Sequence, residues 1–472
     1  MSALIVLGTS SGAGKSLIAT VLCRHFARRG VRVAPFKAQN MSNNARVVGG
    51  GEIGTAQYLQ ARAAGVEPDV RMNPVLLKPE ADERSQVVVH GVADPELSRT
   101  PWRQRAEALW PLVAESLRAL LAEYELVILE GAGSPAEINL ADCDLTNLRS
   151  AKAADAAALM VCDVDRGGAF AHLYGTWALL EPEPRSRLGG FVLNKFRGDP
   201  ELLADAPQRL RELTDVPMAG VVPWLRHGLP DEDGVSQPPP APDGARPRVD
   251  VVAYPAASNL DELRPLEQVA ELRFCRRPAE LGAAELLVLP GSKHVAADLR
   301  WLRESGFEEA IRARLATGAR LLGICGGMQM LGEEMRDPAG VDGDAQGLGL
   351  LPLETAFAAE KLVRPVSVSF SEKLPAPWRA LARVGFDGYE IRHGRTRLCG
   401  PAEKALADER GWASGPVLGI AVHGLFEQPE AVAALLGSAP SRTLDDAIEE
   451  LTDVVAPALD LERVERLAGV AA

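Results

Sequence analysis

Two kinds of chemistry can be read from the residue types of this chain: a nucleophilic thiol and a phosphate cradle. The thiol lies in Arg320-Leu-Leu-Gly-Ile-Cys325-Gly-Gly-Met-Gln-Met-Leu331, an apolar run that stops at a glycine-flanked cysteine and resumes with helical spacing. A strand, a sharp turn and a helix are expected, with Gly323 and Gly326 letting the backbone turn and leaving the Cys325 thiol at the helix start. The partial positive charge there lowers a cysteine pKa from about 8.5 toward roughly 3.5–7.5 and favours the thiolate. A base is needed, and Pro416-Val-Leu-Gly-Ile-Ala-Val-His423-Gly424 brings a histidine to the end of an apolar strand, whereas His294 and His393 fall in polar loops. Leu425 stands two residues on, where a carboxylate could orient the imidazole, so a Cys325–His423 dyad is favoured over a triad. Gly291, closing the strand Leu286-Leu-Val-Leu-Pro290, and Gly326 are candidates to offer N–H groups to an oxyanion at Cys325; a plain strand-ending turn is the other explanation of Gly291.

The cradle is at the N-terminus. The apolar run Ala3–Leu7 is followed by Gly8-Thr-Ser-Ser-Gly12-Ala-Gly14-Lys15-Ser16 and an amphipathic stretch from Leu17 to Arg29. Backbone N–H groups of such a loop can wrap the phosphates of a nucleotide, Lys15 can reach the β- and γ-phosphates and the Ser16 hydroxyl can ligate Mg²⁺. The loop is one residue longer between Gly8 and Gly14 than the common P-loop. The run Glu125–Glu130 reads as a strand ending in a carboxylate, the placement of an acid that orients Mg²⁺ beside the loop. Glu52 is a further metal candidate, with an exposed loop carboxylate as its other explanation. Asn194-Lys195 at another strand end suits a purine edge, though a turn explains it as well. The loop Lys37-Ala-Gln39-Asn40-Met-Ser42-Asn43-Asn44 is rich in amides that can bind carboxylates and carboxamides of a substrate.

These residues need scaffolds to position them. Strand and helix patterns alternate through both halves, so two α/β domains are expected, each a doubly wound, mostly parallel sheet with its ligands over the strands' carboxyl ends. A chain of 472 residues is too long for one ordinary core. The division read from the sequence is a phosphate-loop domain over 1–229, a Pro-rich linker over 230–248, a second α/β domain bearing Cys325 over 249–438 and a helical tail over 439–472. Hydrophobic content of 47%, charged content of 24% and a net charge of −13 fit a globular protein and argue against a general nucleic-acid binder. Six scattered cysteines without a C-x-x-C pair indicate neither a disulfide framework nor a zinc site. No apolar segment is long enough to span a membrane and the N-terminus enters a strand directly, so a cytoplasmic location without membrane attachment is expected. The oligomeric state is left open.

Gly-Ile-Cys325-Gly-Gly-Met-Gln with Val-His423-Gly-Leu-Phe resembles the class I glutamine amidotransferase domain of the cobyrinic acid amidase type, in which the third triad member is absent. The N-terminal half is similar to dethiobiotin synthetase. Both halves in this order, with Gln39-Asn-Met-Ser-Asn-Asn44, Glu130-Gly-Ala-Gly-Ser-Pro-Ala-Glu137-Ile-Asn, Asp163-Val-Asp-Arg-Gly-Gly168, Asn194-Lys-Phe-Arg-Gly-Asp199 and Gly388-Tyr-Glu-Ile-Arg-His-Gly-Arg395, resemble the cobyric acid synthase family. That resemblance implies a glutamine- and ATP-dependent amidation of the b, d, e and g carboxylates of a corrinoid, adenosylcobyrinic acid a,c-diamide, with L-glutamine as nitrogen donor. It places corrinoid selection around Gln39–Asn44. The sister reaction at the a and c carboxylates, or a partitioning-type switch ATPase, are the alternatives.

Overall fold

Ala3, Ile5 and Leu7 point to one side of the strand Ser2–Gly8 and Leu4 and Val6 to the other, and all five are buried. A strand apolar on both faces must be covered on both, which favours a parallel sheet sandwiched by helices. In the computed structural model, which describes residues 2–81, 84–229 and 246–470, this strand sits inside a six-stranded sheet. Its order is Met218–Pro223, Leu188–Phe196, Ala157–Asp163, Ser2–Gly8, Leu126–Glu130, Val33–Phe36, all parallel. Ile5 and Leu7 join a core with Val113, Leu117 and Leu120 of the helix Trp102–Glu123, while Leu4 and Val6 pack with Ile18, Val21 and Leu22 of Lys15–Arg28.

The second domain repeats the logic. Val249, Val251, Leu286 and Val288 belong to one core, and Val252, Leu287 and Leu289 to the core on the opposite face. Seven strands run in the order Glu271–Cys275, Arg248–Val252, Leu286–Leu289, Arg320–Ile324, Val417–Ile420, Gly411–Ser414, Glu403–Leu406, with the last two added antiparallel. The doubly wound, mostly parallel architecture expected of both halves is present. Most of the Pro-rich linker lies outside the described residues.

Three departures from the sequence reading bear on function. The amide-rich segment is part strand: Gln39–Met41 pairs parallel with Val75–Leu77. The hairpin that follows it, Ala45–Val48 with Gly51–Gly54, meets a long hairpin of the second domain, Leu353–Ser369 with Gly385–Leu398. There Ala45, Leu76 and Val88 share a buried cluster with Tyr389 and Ile391, so the two domains have apolar surface in common.

The third departure is the C-terminal segment, whose helices Leu444–Val455 and Leu461–Leu467 return to the first domain. Ile448, Leu451, Val455, Leu459 and Val464 complete the core that covers Ile18, Val21 and Leu22. Ion pairs from Arg28 to Asp453 at 2.7 Å and from His25 to Glu465 at 3.1 Å rim that contact. Burying one such aliphatic side chain is worth about 1.5–3 kcal/mol, so losing five of them removes an amount comparable with a whole domain's stability of about 5–15 kcal/mol. A chain truncated after Ser438 is therefore expected to lose the cooperative thermal transition of the nucleotide domain and to be recovered as aggregate. A truncated chain with the full-length melting profile would refute that assignment.

Candidate active sites

The phosphate loop is shaped by two close approaches. Gly14 has φ 102°, and a Cβ there would lie 1.9 Å from Asn194 Nδ2. At Gly8 a Cβ would press on the Lys15 side chain at 3.0 Å, so glycine lets that side chain cross the loop. Lys15 Nζ donates to the carbonyls of Ser10 at 3.0 Å and Gly133 at 3.1 Å. Ser16 Oγ donates to Glu130 Oε1 at 2.8 Å, and the same carboxylate takes Lys37 Nζ at 2.8 Å and Gln60 Nε2 at 2.5 Å. Glu130 orients the Ser16 hydroxyl, the group through which a divalent cation would be held beside the loop. Asn194 and Lys195 line the cavity in front of the loop and also hold the loop itself: Asn194 Nδ2 donates to Ala13 O at 2.9 Å, and Lys195 Nζ to Gly12 O at 3.0 Å and Asp163 at 2.8 Å. Both buttress the loop from Leu188–Phe196, the second strand over from Ser2–Gly8.

In front of the loop lies a cavity of about 2300 Å³. Its wall includes Gly12, Gly14, Lys15 and Ser16, all of Gln39 to Asn44, and, from the second domain, Tyr254 and Arg264. Pockets for drug-sized ligands are about 300–1,000 Å³, so this one has room for a nucleotide and a much larger co-substrate. Within the segment Asn40 is fixed, giving Nδ2 to Gln57 at 3.1 Å and accepting from Met41 N at 2.9 Å. Ser42 Oγ accepts from Asn44 N at 3.0 Å. Asn43 Oδ1 is buried with no hydrogen-bond partner among the described residues, and an unpaired amide oxygen is a costly group that a bound donor would satisfy.

Glu52 does not belong to this site. Its side chain is buried away from the cavity and paired with Lys78 and, across the domain boundary, with Lys361 at 2.5 Å. Burial would raise its pKa, but Lys361 and Lys78 outweigh that and hold it well below the carboxylate range. Burial in turn lowers Lys78 to about 7 and Lys361 to about 8. A buried carboxylate whose charge is already countered by Lys78 and Lys361, with Lys293 nearby, sits among positive charges that repel a divalent cation, so the expectation of Glu52 as a metal ligand is corrected to an interdomain ion cluster.

The thiol site is built around a strained residue. Cys325 has φ 52° and ψ −106°, between the strand Arg320–Ile324 and the helix Gly326–Leu331. Holding a non-glycine residue there costs about 1–3 kcal/mol and projects the side chain out of the turn. The flanking glycines serve a different purpose from the expected one. Neither has a positive φ; a Cβ on Gly323 would stand 2.6 Å from Leu331 Cδ1, and one on Gly326 2.7 Å from the Ser292 backbone nitrogen. They allow strand, helix and the Gly291–Ser292 segment to approach. A Cβ on Gly291 would lie 3.0 Å from His423 Cε1, so both oxyanion candidates adjoin the reacting groups.

His423 is 2% exposed, hydrogen-bonds Cys325, and receives a third partner. Glu262 Oε1 lies 2.7 Å from His423 Nδ1 and Oε2 accepts from Gly424 N at 2.7 Å. The expected dyad is thus a triad, Cys325–His423–Glu262. Leu425 is core; the carboxylate comes from the nine-residue 3₁₀ segment Leu260–Gln268, far upstream in the chain. Burial alone would raise the thiol, but the His423 imidazolium, then Arg392 and Lys293, hold Cys325 below its usual value. For His423, burial would lower the ring, and Glu262 and Cys325 lift it instead to about 10. The two groups thus favour each other's charged forms, thiolate beside imidazolium.

Glu262→Gln keeps the shape and removes the charge that favours the imidazolium. His423 then titrates lower, the thiol higher, and the pH midpoint of Cys325 alkylation by iodoacetamide moves upward. Glutamine hydrolysis should fall by about 10²–10⁴-fold, the range for losing the acid that orients a catalytic histidine. An unchanged midpoint would rule out Glu262 as the third member. Only the acidic pair Asp261-Glu262 hinted at it in the sequence, and nothing in its spacing tied it to His423.

Among the described residues no helix is long and apolar enough to cross a membrane. Residues 4–228 match the CobQ/CobB/MinD/ParA nucleotide binding domain, and residues 248–431 the CobB/CobQ-like glutamine amidotransferase domain. The chain is 54% identical over 461 residues to cobyric acid synthase of Variovorax paradoxus (strain S110), covering 96% of each chain. It is 56% identical over 472 residues to cobyric acid synthase of Paracidovorax citrulli (strain AAC00-1), covering 95% of each, and 51% identical to that of Polaromonas sp. (strain JS666 / ATCC BAA-500), with 96% and 95% covered. A phosphate loop before a large amide-walled cavity, an activated cysteine triad in the next domain, and relatives similar from end to end agree, and the chain belongs to the cobyric acid synthase family of glutamine amidotransferase-type ligases.

Proposed function

We propose that this chain converts the b, d, e and g carboxylates of adenosylcobyrinic acid a,c-diamide to amides, taking nitrogen from L-glutamine and energy from ATP with Mg²⁺, in the cytoplasm. The observation that carries the reading is the pairing of two incomplete chemistries in one chain: a triad that can only liberate ammonia, and a phosphate site that can only activate an acceptor. The Cys325 thiolate attacks the glutamine side-chain carbonyl, with the backbone N–H groups of Gly291 and Gly326 toward the oxyanion. The His423 imidazolium gives its proton to the departing nitrogen, leaving a thioester, and the neutral ring then takes a proton from the water that releases glutamate. In the first domain a substrate carboxylate oxygen attacks the γ-phosphorus, ADP leaves, and an acyl phosphate remains. Ammonia displaces phosphate from its carbon to give the amide. Lys15 balances charge on the phosphates, and Mg²⁺ held at Ser16 and Glu130 supplies further charge neutralisation.

The amide groups of Gln39, Asn43 and Asn44 suit the carboxamides that such a substrate already carries and the carboxylates still to be converted. Nucleotide-domain, linker and glutaminase boundaries near 229 and 248 fit this division of labour. A partitioning-type switch ATPase gives the triad no role. The test supplies MgATP and glutamine with either the a,c-diamide or the unamidated corrinoid and follows product mass. Four successive amidations of the a,c-diamide are expected; amidation of the unamidated corrinoid alone, at two positions, would establish the sister reaction instead.

A further inference from the structure

Asp261 and Glu262 are adjacent in the chain and both fully buried. Two neighbouring buried carboxylates are costly unless each has its own counter-charge. Glu262 has the His423 ring. Asp261 has groups from the other domain: its Oδ2 accepts from Arg46 Nη2 at 2.6 Å and from Thr55 Oγ1 at 3.5 Å, and its Oδ1 has no hydrogen-bond partner among the described residues. Arg46 stands two residues after Asn44, the end of the amide-rich cavity wall, and Thr55 itself lines the cavity.

The Arg46 side chain is 7% exposed and reaches the triad's surroundings from three directions. Beyond Asp261 it pairs with Glu427, three residues after Gly424, whose N–H is bound by Glu262. Its guanidinium carbon also lies 5.5 Å from the ring centre of Tyr389. Tyr389 stacks on the His423 ring at 5.2 Å with 15° between the planes, and the two residues exchange backbone hydrogen bonds of 3.2 and 2.9 Å. One guanidinium of the synthetase domain therefore holds the neighbour of the triad acid, the loop after the triad histidine and the ring against which that histidine rests.

We propose that Arg46 is a positioning residue that makes glutamine hydrolysis depend on the docked synthetase domain, transmitting the state of the Gln39–Asn44 wall to the Cys325–His423–Glu262 triad. With Arg46 in place, Leu260–Gln268 is anchored and Glu262 is aimed at Nδ1. Withdrawing it leaves Asp261 as an unpaired buried charge beside Glu262, and the segment must shift or take up a proton. Either change costs Glu262 its alignment. A corrinoid that settles the amide-rich wall thus also settles Arg46, so ammonia is released when an acceptor is bound. This rests on the reading of residues 39–44 as the corrinoid wall.

The test compares Arg46→Met, which keeps length and packing without charge, with wild type and with Cys325→Ala in the full-length chain. Amidation of the a,c-diamide is measured with glutamine and, separately, with ammonium chloride. Arg46→Met is expected to keep the ammonia-dependent rate and lose about 5–150-fold of the glutamine-dependent rate, the usual span of a coupling between sites. The groups that face Cys325 and His423 are Glu262, Tyr389, Arg392, Lys293 and Tyr254, with Asp261 and Glu427 beside Glu262, and all remain in this variant. Loss of alignment by Glu262 alone should thus move the pH midpoint of Cys325 alkylation upward, a change that general destabilisation does not produce. Corrinoid stimulation of glutamine hydrolysis should vanish with it.

Equal loss of both nitrogen routes, or an unshifted alkylation midpoint with the glutamine route intact, would overturn the proposal. Should Arg46→Met fail to fold, Glu427→Gln releases one arm of the same guanidinium at a partly exposed position and must weaken the glutamine route in the same direction; no change there also overturns it. If Cys325→Ala retains glutamine-dependent synthesis, the amidotransferase reading itself has failed, a different result from failure at Arg46 alone. If the a,c-diamide stimulates hydrolysis after Asn43→Ala and Asn44→Ala as in wild type, the corrinoid-wall reading fails, and the transmission with it.

Discussion

Cys325→Ala is expected to leave a synthetase that works on ammonia and ignores glutamine. The thiolate is the only atom in the described site with the charge and position to open the glutamine amide, and neither His423 nor Glu262 can replace it as a nucleophile aimed from the strained turn. Removing a nucleophile from an intact triad typically costs on the order of 10⁶ in turnover, and even with residual solvent attack the glutamine-dependent rate should fall by at least about 10³-fold. The substitution deletes one buried sulfur and keeps the backbone, so the other domain, with its own core, is unaffected. The measurement is product mass from the corrinoid with glutamine or with ammonium chloride. Glutamine-dependent synthesis that survives the substitution would remove Cys325 from the mechanism.

Lys15→Ala is expected to abolish both routes together, which separates it cleanly from the cysteine variant. Lys15 is a buried cation, 6% exposed, crossing the phosphate loop between the Ser10 and Gly133 carbonyls. The other described cations around the loop have partners elsewhere: Lys195 is directed to Gly12 O and Asp163, Lys37 to Glu130, and Arg166 to Asp163. Losing one preorganised charge at a developing anion costs about 10²–10³ in rate, and weaker nucleotide binding adds to it. Ammonia-dependent synthesis should thus drop by at least that factor, while alkylation of Cys325 keeps its wild-type pH midpoint because the triad is built in the other domain. Ammonia-dependent synthesis at the wild-type rate would contradict the phosphate role of Lys15.

Expectations drawn from contiguous motifs and those drawn from scattered residues fared differently. A strand, a turn and a helix occupy consecutive residues, so glycine, lysine, serine and cysteine at fixed offsets almost dictate a phosphate loop and a nucleophile turn. Ser16 and Glu130 met at 2.8 Å because the loop after Ser2–Gly8 returns Ser16, at the helix start, to the end of the adjacent parallel strand Leu126–Glu130. Glu52 was misread because a glycine-rich neighbourhood suggests an exposed loop. Its true surroundings, Lys78 and Lys361, come from segments that the local pattern does not mention.

By itself the sequence determined the two sheets, the phosphate loop, the reactive cysteine and its histidine, since local spacing and the apolar period are physical constraints on short segments. Only the tertiary structure decided that Glu262 meets His423, that Arg46 pairs with Asp261 across the domain boundary, and that the last helices finish the first domain's core. Those outcomes depend on which distant groups share one desolvated space. There a charge is tolerable only beside its opposite and an apolar face only beneath another, and neither condition leaves a mark in the spacing of the chain.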